Sequence, residues 1–478
     1  MITENIFIHL RDACDAHRDR IAVYEEARSS TFADVFDDAD ALKTELMKMG
    51  LGAGHIVGVR ARNGAGFIKA MLAVMGSGSA ALPISHQLKP AEVALIRHDA
   101  RMDYMLDADY QEDEGEPVLR AGQDAFQLKT LYPGSKRNEE IFALSPAFIR
   151  FTSGTTGKSK GVTLSHASLI ERIQAADDAL ALRADDRILW VLPMAYHFLV
   201  TILLYLKRGI PIIVCPDMLA QTLLEMGNRH DASVLYASPM HIRLLASDKT
   251  DKTFTSLRWA ISTSAATPPA VMQAFETRFA VPVTQVYGII EAGLPLVNTD
   301  LQKRGLFDVA GKTSPRFESA ILDPQGHALP PGATGHLAIR GPGMFDAYLD
   351  PFQRRDAVMI GGWFLTGDLA EIGPDAYVRI KGREKSVINV SGNKAFPEEV
   401  EAVLLQHPGV SGCRVFGQAH PLTGETVCAD IVCVQGDTLD TEVLLKFCRE
   451  RLSSFKIPQR VNFVEQIPET DSGKTARA

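Results

Sequence analysis

The residues best suited to chemistry lie in one short stretch, Thr152-Ser153-Gly154-Thr155-Thr156-Gly157-Lys158-Ser159-Lys160. An apolar run from Ala147 to Phe151 precedes it and predicts a buried strand. Small and hydroxylated residues allow a loop to fold its backbone N–H groups around a polyphosphate, because nothing bulky blocks close approach. Lys158 and Lys160 add positive charge for the phosphate oxygens. The stretch therefore predicts a phosphate-binding loop that follows a strand.

The spacing of this loop excludes the P-loop of nucleoside triphosphatases. That motif requires a glycine at the start of the loop, and Thr152 stands at this position before Gly157-Lys158-Ser159. A flexible surface loop of small residues would not explain why hydroxyls, glycines and lysines alternate directly after a strand.

The stretch from Phe151 to Val162 resembles the phosphate-binding signature of the acyl-adenylate-forming enzymes. This family includes acyl-CoA synthetases, aryl-acid ligases, non-ribosomal peptide adenylation domains and firefly-type luciferases. In the family, the loop holds the β- and γ-phosphates of ATP while a carboxylate attacks the α-phosphate. The resemblance implies that the following residues bind nucleotide phosphates: Thr152, Ser153, Gly154, Thr155, Thr156, Gly157 and Lys160.

A second match, Gln285 to Glu291, resembles the family's Tyr-Gly-x-Thr-Glu motif. The resemblance implies that Tyr287 and Gly288 lie against the adenine and that Glu291 binds the Mg²⁺ that bridges the phosphates. Carboxylate oxygen is a ligand that Mg²⁺ prefers. The sequence departs from the family at Ile290, where a threonine would donate a hydrogen bond to the α-phosphate. This departure leaves open either weakened adenylation or a compensating donor.

A third match implies a binding site for the ribose of ATP. Asp368, in Thr366-Gly367-Asp368, would accept hydrogen bonds from both ribose hydroxyls, and Arg383 would approach the same sugar. A carboxylate suits a vicinal diol because each of its oxygens can accept one O–H. The segment Ser264-Ala265-Ala266 resembles the backbone that lies against the adenine, with Ser264 in place of the usual glycine.

Two further matches lie near the C-terminus. The stretch from Lys385 to Lys394 resembles the hinge of the family's small domain, and Gly392 falls on the strand that lines the thiol tunnel. Only a glycine would let a pantetheine arm pass so close to the backbone. Pro468 to Lys474 resembles the loop of the catalytic lysine. A mobile ammonium from Lys474 would stabilise the charge that develops around the α-phosphorus.

The resemblance also bears on the acid that is activated. His197, after a predicted strand from Ile188 to Leu192, matches the gate between acyl pocket and thiol tunnel, although a lone histidine among apolar residues is commonly a core group. Amino-acid-activating members place an aspartate near this position, and none is present here. Met240 and Ile289 predict an apolar pocket for an aryl or medium-chain acid.

Composition is typical of an ordinary soluble globular protein. The chain has 478 residues, of which 46% are hydrophobic and 23% charged, with a net charge of −8. The acidic balance and the lack of a basic stripe argue against nucleic acid as a partner. The six cysteines are scattered, as expected for reduced thiols of a cytoplasmic protein. No segment predicts a signal peptide or a membrane span.

The elements that must position these residues predict an α/β fold. Strand and helix patterns alternate from the N-terminus to about residue 145 and again from 147 to about 310, which indicates two βαβ-type subdomains. Alternating short strands then predict a small antiparallel β unit. We place the domain boundary at Lys385, so that residues 1–384 form a large domain that binds ATP and the acid. Residues 385–478 form a small, mobile α+β domain.

The implied reaction has two halves, with ATP, Mg²⁺ and CoA as cofactors. A small-molecule carboxylic acid displaces pyrophosphate from ATP to give an acyl-adenylate, and a thiol then takes the acyl group. Splitting the reaction makes a carboxylate oxygen a good leaving group. Two alternatives remain open: the thiol could be the phosphopantetheine of an acyl carrier protein, or the chain could be a catalytically weak adenylate-binding protein. The sequence does not reveal the oligomeric state.

Overall fold

The structure is a computed structural model that describes residues 4–110, 115–132, 139–152, 160–301, 305–390, 393–420, 424–434 and 439–468. The strands, in chain order, are β1 (Ile21–Tyr24), β2 (Ser29–Thr31), β3 (Ile56–Ala61), β4 (Ala80–Ser85), β5 (Tyr104–Asp107), β6 (Val118–Ala121), β7 (Asp124–Thr130), β8 (Pro146–Thr152), β9 (Lys160–Ser165), β10 (Ile188–Trp190), β11 (Ile212–Val214), β12 (Val234–Ala237), β13 (Trp259–Ser262), β14 (Val283–Ile289), β15 (Gly293–Val297), β16 (Gly311–Thr313), β17 (Glu318–Leu322), β18 (Gly335–Arg340), β19 (Ala347–Tyr348), β20 (Gln353–Arg354), β21 (Phe364–Ile372), β22 (Tyr377–Arg383), β23 (Ile388–Val390), β24 (Asn393–Ala395), β25 (Val410–His420), β26 (Gly424–Cys433) and β27 (Arg460–Phe463).

The α-helices are α1 (Ile6–Cys14), α2 (Phe32–Lys48), α3 (Ala65–Gly76), α4 (Pro90–Ala100), α5 (Glu139–Ala143), α6 (His166–Leu180), α7 (Met194–His197), α8 (Leu203–Arg208), α9 (Ala220–Arg229), α10 (Pro239–Ser247), α11 (Pro269–Phe279), α12 (Pro397–Leu404) and α13 (Thr441–Arg449). A π-helical stretch, Phe198–Ile202, joins α7 to α8. Such a bulge inside a helix often occurs at a functional site.

The first large sheet carries the hairpin of the phosphate loop. Its strand order is β20-β19-β9-β8-β4-β3-β5-β7-β6, and the central strands β3, β4 and β5 run parallel. Strand β8 pairs parallel with β4 and antiparallel with β9. Because β4 is buried along its whole length, β8 and β9 extend from a rigid core toward the predicted loop.

The second large sheet joins a parallel half to an antiparallel half. Its order is β17-β18-β21-β22-β16-β15-β14-β13-β12-β10-β11-β1-β2. Strands β10 to β14 and β1 form the parallel half, and β15 to β18 with β21 and β22 form the antiparallel half. The parallel and antiparallel halves meet at β14, which carries Tyr287 at its end.

The C-terminal region has a separate apolar core. Strands β23 to β27 form their own sheet, and a cluster that includes Ile388, Val400, Val415 and Leu444 is buried between this sheet and helices α12 and α13. The predicted fold class is confirmed: two α/β sheet units, an antiparallel unit and a small α+β region. The boundary at Lys385 stays a prediction, and Lys385 itself lies in an exposed 3₁₀ turn, Glu384–Ser386.

Local capping accounts for helix positions that the sequence predicts. At the start of α2, the Thr31 hydroxyl accepts a hydrogen bond from the backbone N–H of Asp34 over 3.0 Å. The Asp34 carboxylate accepts one from the backbone N–H of Thr31 over 2.8 Å. This capping box satisfies two donors that a helix start leaves open. Within the described residues, no helix is long and apolar enough to cross a membrane. All six cysteines are free thiols.

Candidate active site

The predicted phosphate loop is framed by the β8–β9 hairpin. Thr152 and Lys160 are paired across the two strands at the open end of the hairpin. The Lys160 ammonium lies 4.5 Å from the centre of the Tyr348 ring, a distance at which a cation is attracted to the face of an aromatic ring. The predicted contacts from Ser153, Gly154, Thr155, Thr156 and Gly157 lie outside the described residues, as does the side chain of Thr152.

Glu291 follows β14 in a tight turn. The Tyr348 hydroxyl donates a hydrogen bond to Oε1 of Glu291 over 3.2 Å. Burial and the Glu291 carboxylate both raise the pKa of Tyr348. Strand β15 returns so closely that a Cβ atom on Gly288 would meet the carbonyl oxygen of Gly293 at 2.6 Å. Only glycine therefore fits at position 288, and the turn presents Glu291 next to the phosphate hairpin.

A buried arginine supports this turn from below. Arg172, on α6, is 2% exposed. Its guanidinium donates to the carbonyl of Ile290 over 2.8 Å, to that of Glu291 over 3.2 Å and to that of Gly343 over 2.7 Å. Burial lowers the pKa of Arg172 to about 9, and the carboxylate of Glu291 opposes this shift. Arg172 is a positioning residue that fixes the backbone on which Glu291 is carried.

The structure brings the predicted ribose-binding residues together. Asp368 and Arg383 are paired across β21 and β22, and Nε of Arg383 forms an ion pair with Oδ1 of Asp368 at 2.7 Å. The Tyr287 hydroxyl donates to Oδ2 of the same carboxylate. Burial is the main cause that raises the pKa of Tyr287, and the negative charge of Asp368 raises it further. Asp368 is only 3% exposed, and a carboxylate oxygen can accept more than one hydrogen bond.

The predicted gate and adenine segments also meet. Nε2 of His197 lies 3.3 Å from the hydroxyl of Ser264, and its ring packs edge-on against Trp190 at 6.3 Å. Ser264 adopts φ = +76°, a left-handed conformation that costs a non-glycine residue about 1 kcal/mol. The conformation explains why glycine is the usual residue there. Ala265 and Ala266 are exposed, as a surface that receives a base requires.

The predicted acyl-pocket residues lie in different environments. Ile289 is partly buried against the main core at the end of β14. Met240, at the start of α10, is 43% exposed. The assignment of Ile289 and Met240 to the acyl pocket stays a prediction. Gly392 and Lys474 lie outside the described residues.

Sequence reasoning missed three residues: Arg150, Arg172 and Tyr348. Arg172 and Tyr348 carry no local signal, because their partners are far away in sequence. Arg150 did carry one, since it is the single charged residue in the run Ala147 to Phe151 that predicts β8. It donates a hydrogen bond to the carbonyl of Tyr196, the residue before His197.

The donor set around Glu291 fits a magnesium ion that is shared with phosphates. Mg²⁺ is usually bound through one or two carboxylates together with substrate phosphates. The described residues contain no group of three or more His, Cys, Asp or Glu side chains that could enclose a metal. Glu291 would therefore hold Mg²⁺ jointly with a nucleotide.

The chain matches known proteins along most of its length. It matches the AMP-binding enzyme family over residues 10–349 and the AMP-binding enzyme C-terminal domain over residues 399–474. A sulfoacetate–CoA ligase of Cupriavidus necator is 28% identical, with 95% of this chain and 92% of that protein covered. An indoleacetate–CoA ligase of Aromatoleum aromaticum is 30% identical over 71% of this chain and 68% of that protein. The solved structure of ATP-bound MatB from Rhodopseudomonas palustris superposes with a TM-score of 0.85 at 25% identity, with 98% and 97% covered.

Proposed function

The chain belongs to the AMP-binding enzyme family, and on this premise we propose that it is an AMP-forming acid–CoA ligase. In the first half-reaction, a carboxylate oxygen attacks the α-phosphorus of ATP and pyrophosphate leaves, which gives an acyl-adenylate. In the second, the sulfur of CoA attacks the acyl carbon and AMP leaves with the oxygen that came from the acid. The relatives that are named as CoA ligases support CoA as the thiol.

The ribose cluster is the observation that carries this proposal. Arg383 and Asp368 lie on the neighbouring strands β22 and β21, whereas Tyr287 comes from β14, 81 residues before Asp368, and both Arg383 and Tyr287 contact the buried carboxylate of Asp368. With these groups in place, a nucleotide would be oriented so that its α-phosphate lies between Glu291 and the β8–β9 hairpin.

In the first half-reaction, the residues of this chain bind and orient the reactants. Glu291 would hold Mg²⁺, which neutralises charge on the phosphates of ATP. Thr152 and Lys160, with the loop between them, would hold the β- and γ-phosphates. Lys474 would place its ammonium at the α-phosphate, where a fixed positive charge stabilises the transition state for displacement of pyrophosphate.

In the second half-reaction, the small domain would turn about Lys385. The turn would withdraw Lys474 and bring Gly392 to the thiol tunnel. His197 would form the gate between the acyl pocket and this tunnel, and its contact with Ser264 would link the gate to the adenine segment. Opening of the gate would be coupled in this way to the nucleotide that is bound.

We further infer that the acid is an aryl or medium-chain carboxylic acid and not an α-amino acid. The walls predicted for its pocket are apolar: Ile289 and Leu294 flank the turn that carries Glu291, and Val200 lies in the π-helical stretch beyond His197. The chain's similarity to an indoleacetate–CoA ligase supports an aryl acid.

Pyrophosphate exchange tests the proposal. The protein is incubated with ATP, Mg²⁺ and labelled pyrophosphate, together with single members of a panel of aryl, medium-chain, short dianionic and α-amino acids. We expect exchange that depends on an aryl or medium-chain acid, and product formation when CoA is added. A purified acyl carrier protein replaces CoA in a parallel reaction. Absence of exchange with every acid would favour an adenylate-binding protein without ligase activity.

A further inference from the structure

Arg150 is a charged residue inside an otherwise apolar strand. It lies on β8, between Ile149 and Phe151, and its guanidinium contacts Tyr196 in two ways. One nitrogen donates to the carbonyl oxygen of Tyr196, and the guanidinium carbon lies 5.1 Å from the centre of the Tyr196 ring. Among the residues that the structure describes, its Nε is buried and has no hydrogen-bond partner.

The charge of Arg150 is not balanced by a protein carboxylate in direct contact. Within the described part of the chain, no Asp or Glu oxygen lies within ion-pair distance of this guanidinium, although the Glu291 carboxylate is near enough to favour its charged form. Burial nevertheless lowers the pKa of Arg150 to about 10. Buried charges in proteins are normally paired, since an unpaired charge is costly. Among the described residues Arg150 therefore has no paired anion, and a ligand could supply one.

Three parts of the candidate active site meet around Arg150. Strand β8 ends at Thr152, so Arg150 lies about 7 Å before the start of the phosphate loop. Tyr196 immediately precedes His197, the predicted gate. Glu291 immediately follows Ile290, where the family has a threonine that donates to the α-phosphate. An anion near Arg150 would consequently lie close to the end of β8, to Tyr196 and to the Glu291 carboxylate.

We propose that Arg150 binds the α-phosphate of ATP and replaces the hydrogen-bond donor that Ile290 lacks. This inference rests on the proposed function, because it assigns the ligand to the same nucleotide site. The unpartnered Nε and the remaining guanidinium N–H groups are the donors available to the phosphate oxygens. A guanidinium suits this task, since it presents several N–H groups in one plane to phosphate oxygens.

The test is a double-mutant cycle that joins Arg150→Met with Ile290→Thr. Arg150→Met should weaken ATP binding, measured by calorimetry, by roughly 10- to 100-fold, which is the range for a hydrogen bond to a charged group. In the Arg150→Met background, Ile290→Thr should raise the affinity for ATP about tenfold. In the unaltered protein, Ile290→Thr should change the affinity for ATP by less than about threefold. Arg150→Lys, which keeps the charge, should lie between the unaltered protein and Arg150→Met.

Controls separate this role from a purely structural one. The first control is Arg278→Met. Among the described residues, Arg278 also has a buried Nε without a hydrogen-bond partner, and it pairs with Asp248 away from the site. ATP binding should not change in this variant. Melting temperatures of all variants show which are folded. If Arg150→Met fails to fold, the comparison of Arg150→Lys with and without Ile290→Thr replaces it, and coupling between the two sites is still expected.

Three results would overturn the proposal. Unchanged ATP affinity with a raised KM for the acid would mean that Arg150 binds the acid and not the α-phosphate. Loss of activity confined to acids with a second anionic group would assign Arg150 to that group. Equal effects of Ile290→Thr in both backgrounds would show that the positions act independently. Calorimetry measures ATP binding even if no acid supports exchange, so failure of the ligase proposal remains a separate result.

Discussion

Asp368 is the residue on which we expect recognition of the nucleotide to depend most. Its carboxylate is almost completely buried, and its charge is compensated by Arg383, whose side chain is 40% exposed. A carboxylate suits the two hydroxyls of a ribose, because each of its oxygens can accept an O–H. Replacing this carboxylate by an amide of the same shape would remove a charged acceptor and introduce an N–H₂ group that cannot accept.

We expect Asp368→Asn to raise the KM for ATP by roughly tenfold or more, because hydrogen bonds to charged groups contribute about 1.5–3 kcal/mol. The kinetics of pyrophosphate exchange measure this effect. Asp375→Asn is a matched control, since Asp375 lies at the turn between β21 and β22 and pairs with Arg379 at the surface. A similar rise in KM in both variants would show that the hairpin, and not the ribose contact, was disturbed.

At the scale of elements, His166 connects the N-terminal helix to the core. It begins α6, and its Nδ1 accepts a hydrogen bond from the backbone N–H of Ile6 over 3.2 Å. Burial lowers the pKa of His166 from 6.5 to about 4. Between about pH 4 and pH 6.5, the imidazole of His166 therefore binds a proton in the unfolded chain but not in the folded chain. The contribution of neutral His166 to the free energy of unfolding is fully present above pH 6.5 and is lost as the pH falls toward about 4.

We expect His166→Gln to reduce the pH dependence of stability in this window by up to about 1.4 kcal/mol per pH unit. The glutamine oxygen can still accept from Ile6 but does not titrate. Urea unfolding at pH 7.5, 6.0 and 5.0 provides the measurement, with His98→Gln at an exposed position as the control. If the two variants show the same slope as the unaltered protein, His166 is protonated in the folded state.

Local sequence predicts elements better than it predicts their neighbours. The predicted strands Ala147 to Phe151 and Ile188 to Leu192 are present as β8 and β10, each within two residues of the predicted bounds, because apolar runs between turns identify buried strands. The sequence did not indicate that β1 would pair with β11 in the second large sheet. Such pairing depends on contacts between residues almost two hundred positions apart, which no local pattern encodes.

The same limit explains what was found and missed in the candidate site. Asp368, Arg383 and Glu291 were predicted from short motifs, because each belongs to a run whose residue types and order are distinctive. The sequence could not show that Tyr287 would donate to Asp368 or that Arg172 would hold the backbone of Glu291. Both contacts arise from the packing of distant elements.

At the scale of the molecule, the two proposed half-reactions require the C-terminal region to move. Two of the described contacts between this region and the rest involve polar side chains. Arg243, on α10, donates to the carbonyl of Ser411 over 3.1 Å, and Glu398, on α12, lies directly over Gly382. Domains joined by small polar contacts are expected to move relative to one another.

We expect Lys474→Ala to reduce adenylate formation by about 10²-fold, because a charge placed on developing phosphate charge contributes a few kcal/mol. It should spare thioester formation from a supplied acyl-adenylate. Single-turnover assays of the two half-reactions provide the comparison. Equal losses in both would mean that Lys474 does not act specifically in the first half-reaction.

Gly392→Leu should have the opposite effect. A leucine side chain would fill the tunnel that the thiol uses, and the ATP site would remain intact. Pyrophosphate exchange should therefore persist while thioester product is lost. Collapse of exchange as well would show that Gly392 is needed for the fold of the small domain.

The transfer of oxygen from acid to nucleotide tests the central claim most directly. An acid that supports exchange is labelled with ¹⁸O in its carboxylate and allowed to react with ATP, Mg²⁺ and CoA, and the products are examined by mass spectrometry. If the carboxylate attacks the α-phosphorus, AMP must carry one ¹⁸O atom and pyrophosphate none. Formation of ADP with labelled phosphate, or of AMP without the label, would contradict the account.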